Sequence, residues 1–176
     1  MSIFRRLFQE KPGISAARSL YGEIVAQARQ PAFYTHMAVP DTLDGRFDLI
    51  TLHAILVMDR LGATGETAFS QTLFDEMFTA LDHNLREMGV GDLSVPKRIK
   101  VMAEAFYGRA GAYRTAMKEA GNDALAAALA RNIWPQTDIA REAPAALAAY
   151  MRRVAEALAG QEIATLRTGH VRFPEV

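Results

Sequence analysis

Hydrophobic residues recur along most of this chain at steps of three and four, the rhythm that gathers them on one side of a 3.6-residue helix. Ala17, Leu20, Tyr21, Ile24, Val25 and Ala28 form the first such stripe. It closes before Pro31, whose ring disfavours helix in the preceding residue. From Pro31 to Asp44 the rhythm lapses into aromatics, prolines and turn formers, which predicts an irregular connection. Phe47 to Leu61 is apolar around most of its circumference and belongs at the centre of a fold. Gly62 and Gly65 then bracket a turn.

Two long patterns follow. In the first, Phe74, Phe78, Leu81, Leu85 and Met88 fall on one stripe expected to be buried, with Asp75, Thr79, Asp82 and Arg86 on the solvated side and His83 and Glu87 as an i,i+4 pair. Gly89 is positioned to end that helix. The second opens with Ser94 as N-cap and Pro96 in the first turn, where a missing N–H loses no hydrogen bond. Ile99, Met102, Phe106, Ala110, Tyr113 and Met117 mark its apolar side over about seven turns. Lys97, Lys100, Glu104, Gly108, Gly111, Thr115 and Lys118 fall on the reverse. A glycine inside a helix costs about 0.5 to 1 kcal/mol against alanine. The pair Gly108 and Gly111 is therefore expected to make room for a crossing helix of the same domain; the sharper alternative is a docking groove for an external segment.

Beyond Met117, Gly121-Asn122 leads into a short alanine-rich helix, Asp123 to Ile133, ended by Trp134-Pro135. Pro144 introduces a last helix whose stripe is Leu147, Met151, Val154 and Leu158, with Arg152 and Arg153 off the stripe and expected in solvent. Gly160 to Val176 has too little alternation to predict a strand and reads as a tail laid along the domain. The sum is an all-α, single-domain helical bundle of about six or seven helices with an irregular C-terminal tail.

The run Leu85-Arg86-Glu87-Met88-Gly89-Val90-Gly91-Asp92-Leu93, then Lys97-Arg98 and Ala105-Phe106-Tyr107-Gly108-Arg109, resembles the ubiquinol-cytochrome c chaperone family. Phe33-Tyr34, Asp41-Thr42-Leu43-Asp44-Gly45-Arg46-Phe47 and Leu52-His53 match upstream in the family's order. The resemblance spans roughly residues 20 to 118, with the last third only loosely similar. Ala80 departs from it, since an acid is common there. What it implies is a non-catalytic assembly chaperone that holds newly made cytochrome b of the bc1 complex; a small helper protein, or the ribosome through the basic second long helix, is a further candidate partner. The expected partner-binding residues surround the central turn: Asp82, Arg86, Glu87, Gly91, Asp92, Lys97, Arg98, Tyr107, Gly108, Arg109 and Gly111.

Composition narrows the alternatives. The 176 residues are 50% hydrophobic, enough for one sizeable core. Twenty basic and twenty acidic residues cancel, so no global field draws the chain to nucleic acid, and no specific nucleic-acid partner is expected. With no cysteine there is no disulfide framework and no thiolate chemistry. No window reaches the roughly 18 apolar residues that span a bilayer, which predicts a cytoplasmic protein. The tip, residues 1–13 ahead of a chaperone-like domain at 14–176, places Ile3, Phe4, Leu7 and Phe8 beside Arg5 and Arg6 and would allow a peripheral contact at the inner membrane.

None of His36, His53, His83 and His170 has a glutamate three residues before it, so the Glu-x-x-His pairs of helical di-iron sites are missing. Gly89-Val90-Gly91 follows a helix instead of a strand and lacks the third glycine of a dinucleotide fingerprint. Asp75, Glu76, Asp82 and Glu87 read as a solvated face. His53 reads as a core histidine bonded to a neighbour. No catalytic residues, metal or cofactor are assigned. Two alternatives stay open: a ribosome-associated adaptor using Lys97, Arg98 and Lys100, and a haem-binding protein using His53 or His83 with a methionine.

Overall fold

The computed structural model describes residues 12–135 and 140–176. The expected N-terminal tip, with Ile3, Phe4, Leu7 and Phe8, lies outside the described residues. Among the described residues the chain forms helices α1 (Pro12–Ala28), α2 (Pro31–Thr35), α3 (Leu43–Ala63), α4 (Thr67–Glu87), α5 (Val95–Met117), α6 (Asp123–Ile133), α7 (Glu142–Ala159) and α8 (Ile163–Arg167). Six are long and two are single turns, and the described residues contain no strand.

The central helix is the one whose sequence is apolar all round. α3 packs against α1, α4, α5, α6 and α7, and every residue from Phe47 to Met58 is buried. A helix ringed on all sides has no face on which to place polar groups, so a polar residue it keeps is costly unless it finds partners. His53 does so completely. Its Nδ1 lies 2.7 Å from the Leu49 carbonyl, which can only accept, so the proton sits on Nδ1 and Nε2 accepts from the Tyr150 hydroxyl at 2.8 Å. Gln27 Nε2 donates to the same hydroxyl at 2.9 Å. Burial lowers the His53 pKa to about 4 and pushes Tyr150 up to about 12, which keeps the chain of bonds neutral.

The α1 stripe is buried as the spacing predicts, with Val25 partly buried at its edge. On α4 the deepest row is Leu73, Met77, Leu81 and Leu85, one position round from the predicted Phe74 and Phe78. The reason is α1, which packs along α4 and claims that row. Phe74 and Phe78 are left half-buried, with ring centroids 4.6 Å apart, and Phe74 lies 5.3 Å from Phe106 of α5. Met88, predicted for the stripe, is exposed instead.

The connection after α1 is more ordered than its composition suggests. Pro31 opens the turn α2, Phe33 is fully buried against the rings of His53 and Tyr150, and Met37 and Val39 are also in the core. Pro31, Thr35, His36 and Ala38 are exposed between these core residues, and Asp41 to Asp44 is a continuous stretch at the surface. Arg152 is likewise corrected. It is partly buried and donates to the Met117 carbonyl at 3.3 Å, the Glu119 carbonyl at 2.8 Å and the Asn122 side chain at 3.1 Å, tying α7 to the α5–α6 turn. Arg153 is exposed, as expected.

After α8 the tail runs extended along the domain. Gln161 accepts from the Arg172 N–H at 2.8 Å and donates to the Arg172 carbonyl at 2.9 Å, and the Phe173 ring meets His53 edge-on at 5.2 Å.

Candidate functional site

Three helix ends meet at one end of the bundle: the start of α3, the end of α4 and the start of α5. Each is fixed by its local sequence. At α3, Thr42 Oγ1 accepts from the Gly45 N–H at 3.2 Å, and Arg46 donates to Asp41 at 2.7 Å. A Cβ at Gly45 would collide with the Pro40 carbonyl oxygen, so only glycine lets the incoming chain lie against this first turn. At the end of α4, Gly89 takes φ +82°. The Val90 N–H bonds to the Leu85 carbonyl at 3.0 Å and the Gly89 N–H to the Arg86 carbonyl at 2.9 Å, a Schellman closure. At α5, Ser94 holds the N-cap position without a side-chain cap bond, and Pro96 lies in the first turn as predicted.

Between these ends opens a groove of about 1170 Å³, walled by residues of α3, α4 and α5 and closed at one side by the end of α6. Its lining includes three of the most exposed large hydrophobic side chains: Leu43 at 60%, Met88 at 49% and Val101 at 56%. Leu93, on the adjoining turn, is 97% exposed.

The floor holds a buried ion pair. Arg109 Nη2 approaches Asp48 Oδ1 to 2.6 Å, with the two side chains 17% and 4% exposed. Burial pushes the Asp48 carboxyl up to about 6 against the opposing pull of Arg109. Burial also raises the nearby Tyr113 phenol, and the charge of Asp48 adds to that rise. The Tyr113 hydroxyl and Thr51 Oγ1 are buried there without hydrogen-bond partners.

The expected partner-binding residues divide into three groups. Glu87, Lys97, Arg98 and Arg109 line the groove. Asp82, Arg86 and Asp92 form a clasp beside it: Arg86 Nε bonds Asp82 Oδ2 at 2.6 Å, and its Nη1 reaches Asp92 Oδ1 across the turn that contains Gly91. Glu87 also meets His83 at 3.1 Å. Tyr107, Gly108 and Gly111 point elsewhere. Tyr107 is exposed and lies over Phe74 at 5.5 Å, beside a second hollow of about 710 Å³.

The reverse face of α5 is corrected in one respect. A Cβ at Gly108 or Gly111 would meet nothing within 4 Å. Among the described residues no helix crosses there, and the two glycines lie on an open face with Lys97, Lys100, Glu104, Thr115 and Lys118.

Sequence reasoning did not single out Leu43, Met88, Val101 or Asp48 for this site. Asp48 carried a usable signal, an acid inside an otherwise apolar helix, and Arg109 flanks the α5 stripe one turn from Phe106. The three apolar residues carried none, because a surface leucine or valine has no distinctive spacing.

A family model described as ubiquinol-cytochrome C chaperone matches residues 35–173. The chain belongs to that family. The match begins at residue 35 and runs through α6, α7 and the tail, further than the resemblance to residue 118. A crystal structure of the Cbp3 homolog from Brucella abortus aligns at a TM-score of 0.82 and 38% identity, covering 98% of this chain and 95% of that chain. The comparison with curated proteins returned no match. In this ubiquinol-cytochrome c chaperone family member, no described helix is long and apolar enough to cross a membrane. No group of three or more His, Cys, Asp or Glu among the described residues is placed to hold a metal ion.

Proposed function

We propose that this chain is a non-catalytic assembly chaperone that holds newly made cytochrome b during assembly of the ubiquinol-cytochrome c reductase complex, and that the groove between α3, α4 and α5 is the surface that covers the client. The observation that carries this is the exposure of Leu43, Met88 and Val101 around one concavity. Membrane helices awaiting partners expose apolar surface, and an apolar groove with a polar rim is the form that shelters a helix. The clasp Asp82–Arg86–Asp92 fixes the turn beside that groove. Residues 1–13 supply a peripheral contact that brings the domain to the membrane where such a client is inserted.

The test is co-isolation of cytochrome b with tagged chain after brief cross-linking in cells, together with the level of assembled complex in a strain lacking the gene. Val101→Asp and Met88→Asp are expected to fold normally and to recover little cytochrome b. Normal levels of assembled complex without the gene would refute the assignment. For the tip, liposome flotation of the full chain against a chain beginning at Ile14 reads the contact directly; equal flotation refutes it.

A further inference from the structure

We infer that the groove selects an acidic partner segment: a helix apolar along one face and carrying glutamate or aspartate at the flank that lies against the first turn of α5. This rests on the groove being the client surface and adds the rule by which a segment is chosen.

Part of the charge around the groove is already paired. The lining contains five basic residues, Arg29, Arg46, Lys97, Arg98 and Arg109, against three acids, Asp44, Asp48 and Glu87. Arg46 is held by Asp41, Arg109 by Asp48, and Glu87 by His83 when that ring is protonated. Lys97 and Arg98 are exposed and have no ion-pair partner among the described residues. The uncommitted charge facing the groove from α5 is therefore positive. It stands next to Val101, one turn further along the same helix, so apolar contact and charge are offered together.

Size admits a helix as occupant. A helix about 10 Å across with a 5.4 Å pitch fills about 420 Å³ per turn. The groove, at about 1170 Å³, takes nearly three turns. A flat bilayer surface fits this shape poorly, because the apolar side chains that would meet it line a hollow. A basic segment would place like charges together at the rim, which is the usual means by which an interface rejects a wrong partner.

The test uses the full chain and two amphipathic peptides of about 18 residues, long enough to be helical on binding. They share one apolar face and differ only in carrying glutamates or lysines on the flank. Fluorescence anisotropy at about 0.1 M salt is expected to give at least tenfold tighter binding of the glutamate peptide, with the advantage shrinking at about 0.5 M as screening shortens the reach of the rim charges. Lys97→Glu with Arg98→Glu reverses the preference. Val101→Asp weakens both peptides, with an unchanged circular dichroism spectrum.

Equal affinity for the two peptides overturns the inference, as does a preference that survives the charge reversal. Failure of the glutamate peptide to bind overturns it as well. So does binding of anionic vesicles or single-stranded RNA through Lys97 and Arg98 that the glutamate peptide cannot displace, or a dimer of the chain that excludes both peptides. Loss of cytochrome b co-isolation with the glutamate preference intact removes the client assignment and leaves the selection rule. The opposite pattern removes only the rule.

Discussion

Two buried titratable groups on α3 are linked to pH with opposite signs, and replacing each in turn separates them. His53 is depressed by burial to about 4. Between that value and its ordinary 6.5 the unfolded chain binds the proton more readily, so this group's contribution is fully present above 6.5 and is lost as pH falls through 4. Asp48 is raised by burial to about 6. The folded chain binds that proton more readily, so its contribution is fully present below 3.8 and is lost as pH rises through 6. Each shift corresponds to about 3 kcal/mol at 1.36 kcal/mol per pH unit. In the wild type the two largely cancel between pH 4 and 6.5.

His53→Gln and Asp48→Asn each lower stability by a pH-independent packing or pairing amount, but their differences from wild type tilt in opposite directions. Urea titrations at half-unit steps from pH 4 to 7 are expected to show Asp48→Asn gaining about 3 kcal/mol relative to wild type across the range, and His53→Gln losing a similar amount. Two flat differences would mean that neither group titrates as buried, and the burial argument for α3 would fail.

Arg109→Met leaves Asp48 buried without its cation and is expected to cost about 3 to 5 kcal/mol in urea unfolding at pH 7; a cost below about 1 kcal/mol would show the pair is solvated. Gly108→Ala and Gly111→Ala are each expected to stabilise by about 0.5 to 1 kcal/mol, since neither new methyl meets anything; destabilisation in thermal melts would contradict an open α5 face. Gly45→Ala drives a methyl into the Pro40 carbonyl and is expected to cost about 1 to 3 kcal/mol; a neutral melt would contradict the close packing at the start of α3.

The helices were legible because burial on one side leaves a period in the sequence. The reverse face of α5 is an instance: every residue assigned to it by angle is exposed. Periodicity is weaker where two neighbours compete for one helix. α4 shows apolar residues over a wide arc, and only the presence of α1 decides that Leu73 and Met77 go deepest while Phe74 and Phe78 turn to α5. Long-range polar ties were not legible either. Nothing local to Arg152 announces that its guanidinium reaches carbonyls some thirty residues earlier, and nothing local to Phe33 announces that a tail at Phe173 will share its histidine.

The motif residues and the groove are connected by mechanics as much as by contact. Apolar side chains left in water fold inward if the backbone beneath them is free to move, so a groove of exposed Leu43, Met88 and Val101 needs rigid mountings. Leu43 is the first residue of α3, directly after the Thr42 cap. Met88 is the C-cap of α4, directly before Gly89. Val101 stands in the second turn of α5, beyond Pro96. Each exposed group is therefore carried on a fixed helix end, and the residues that fix those ends are the ones in which the family resemblance is concentrated. Thr42, Gly45, Arg86 and Gly89 thus act on the groove through the backbone: they fix the helix ends that hold its apolar surface open.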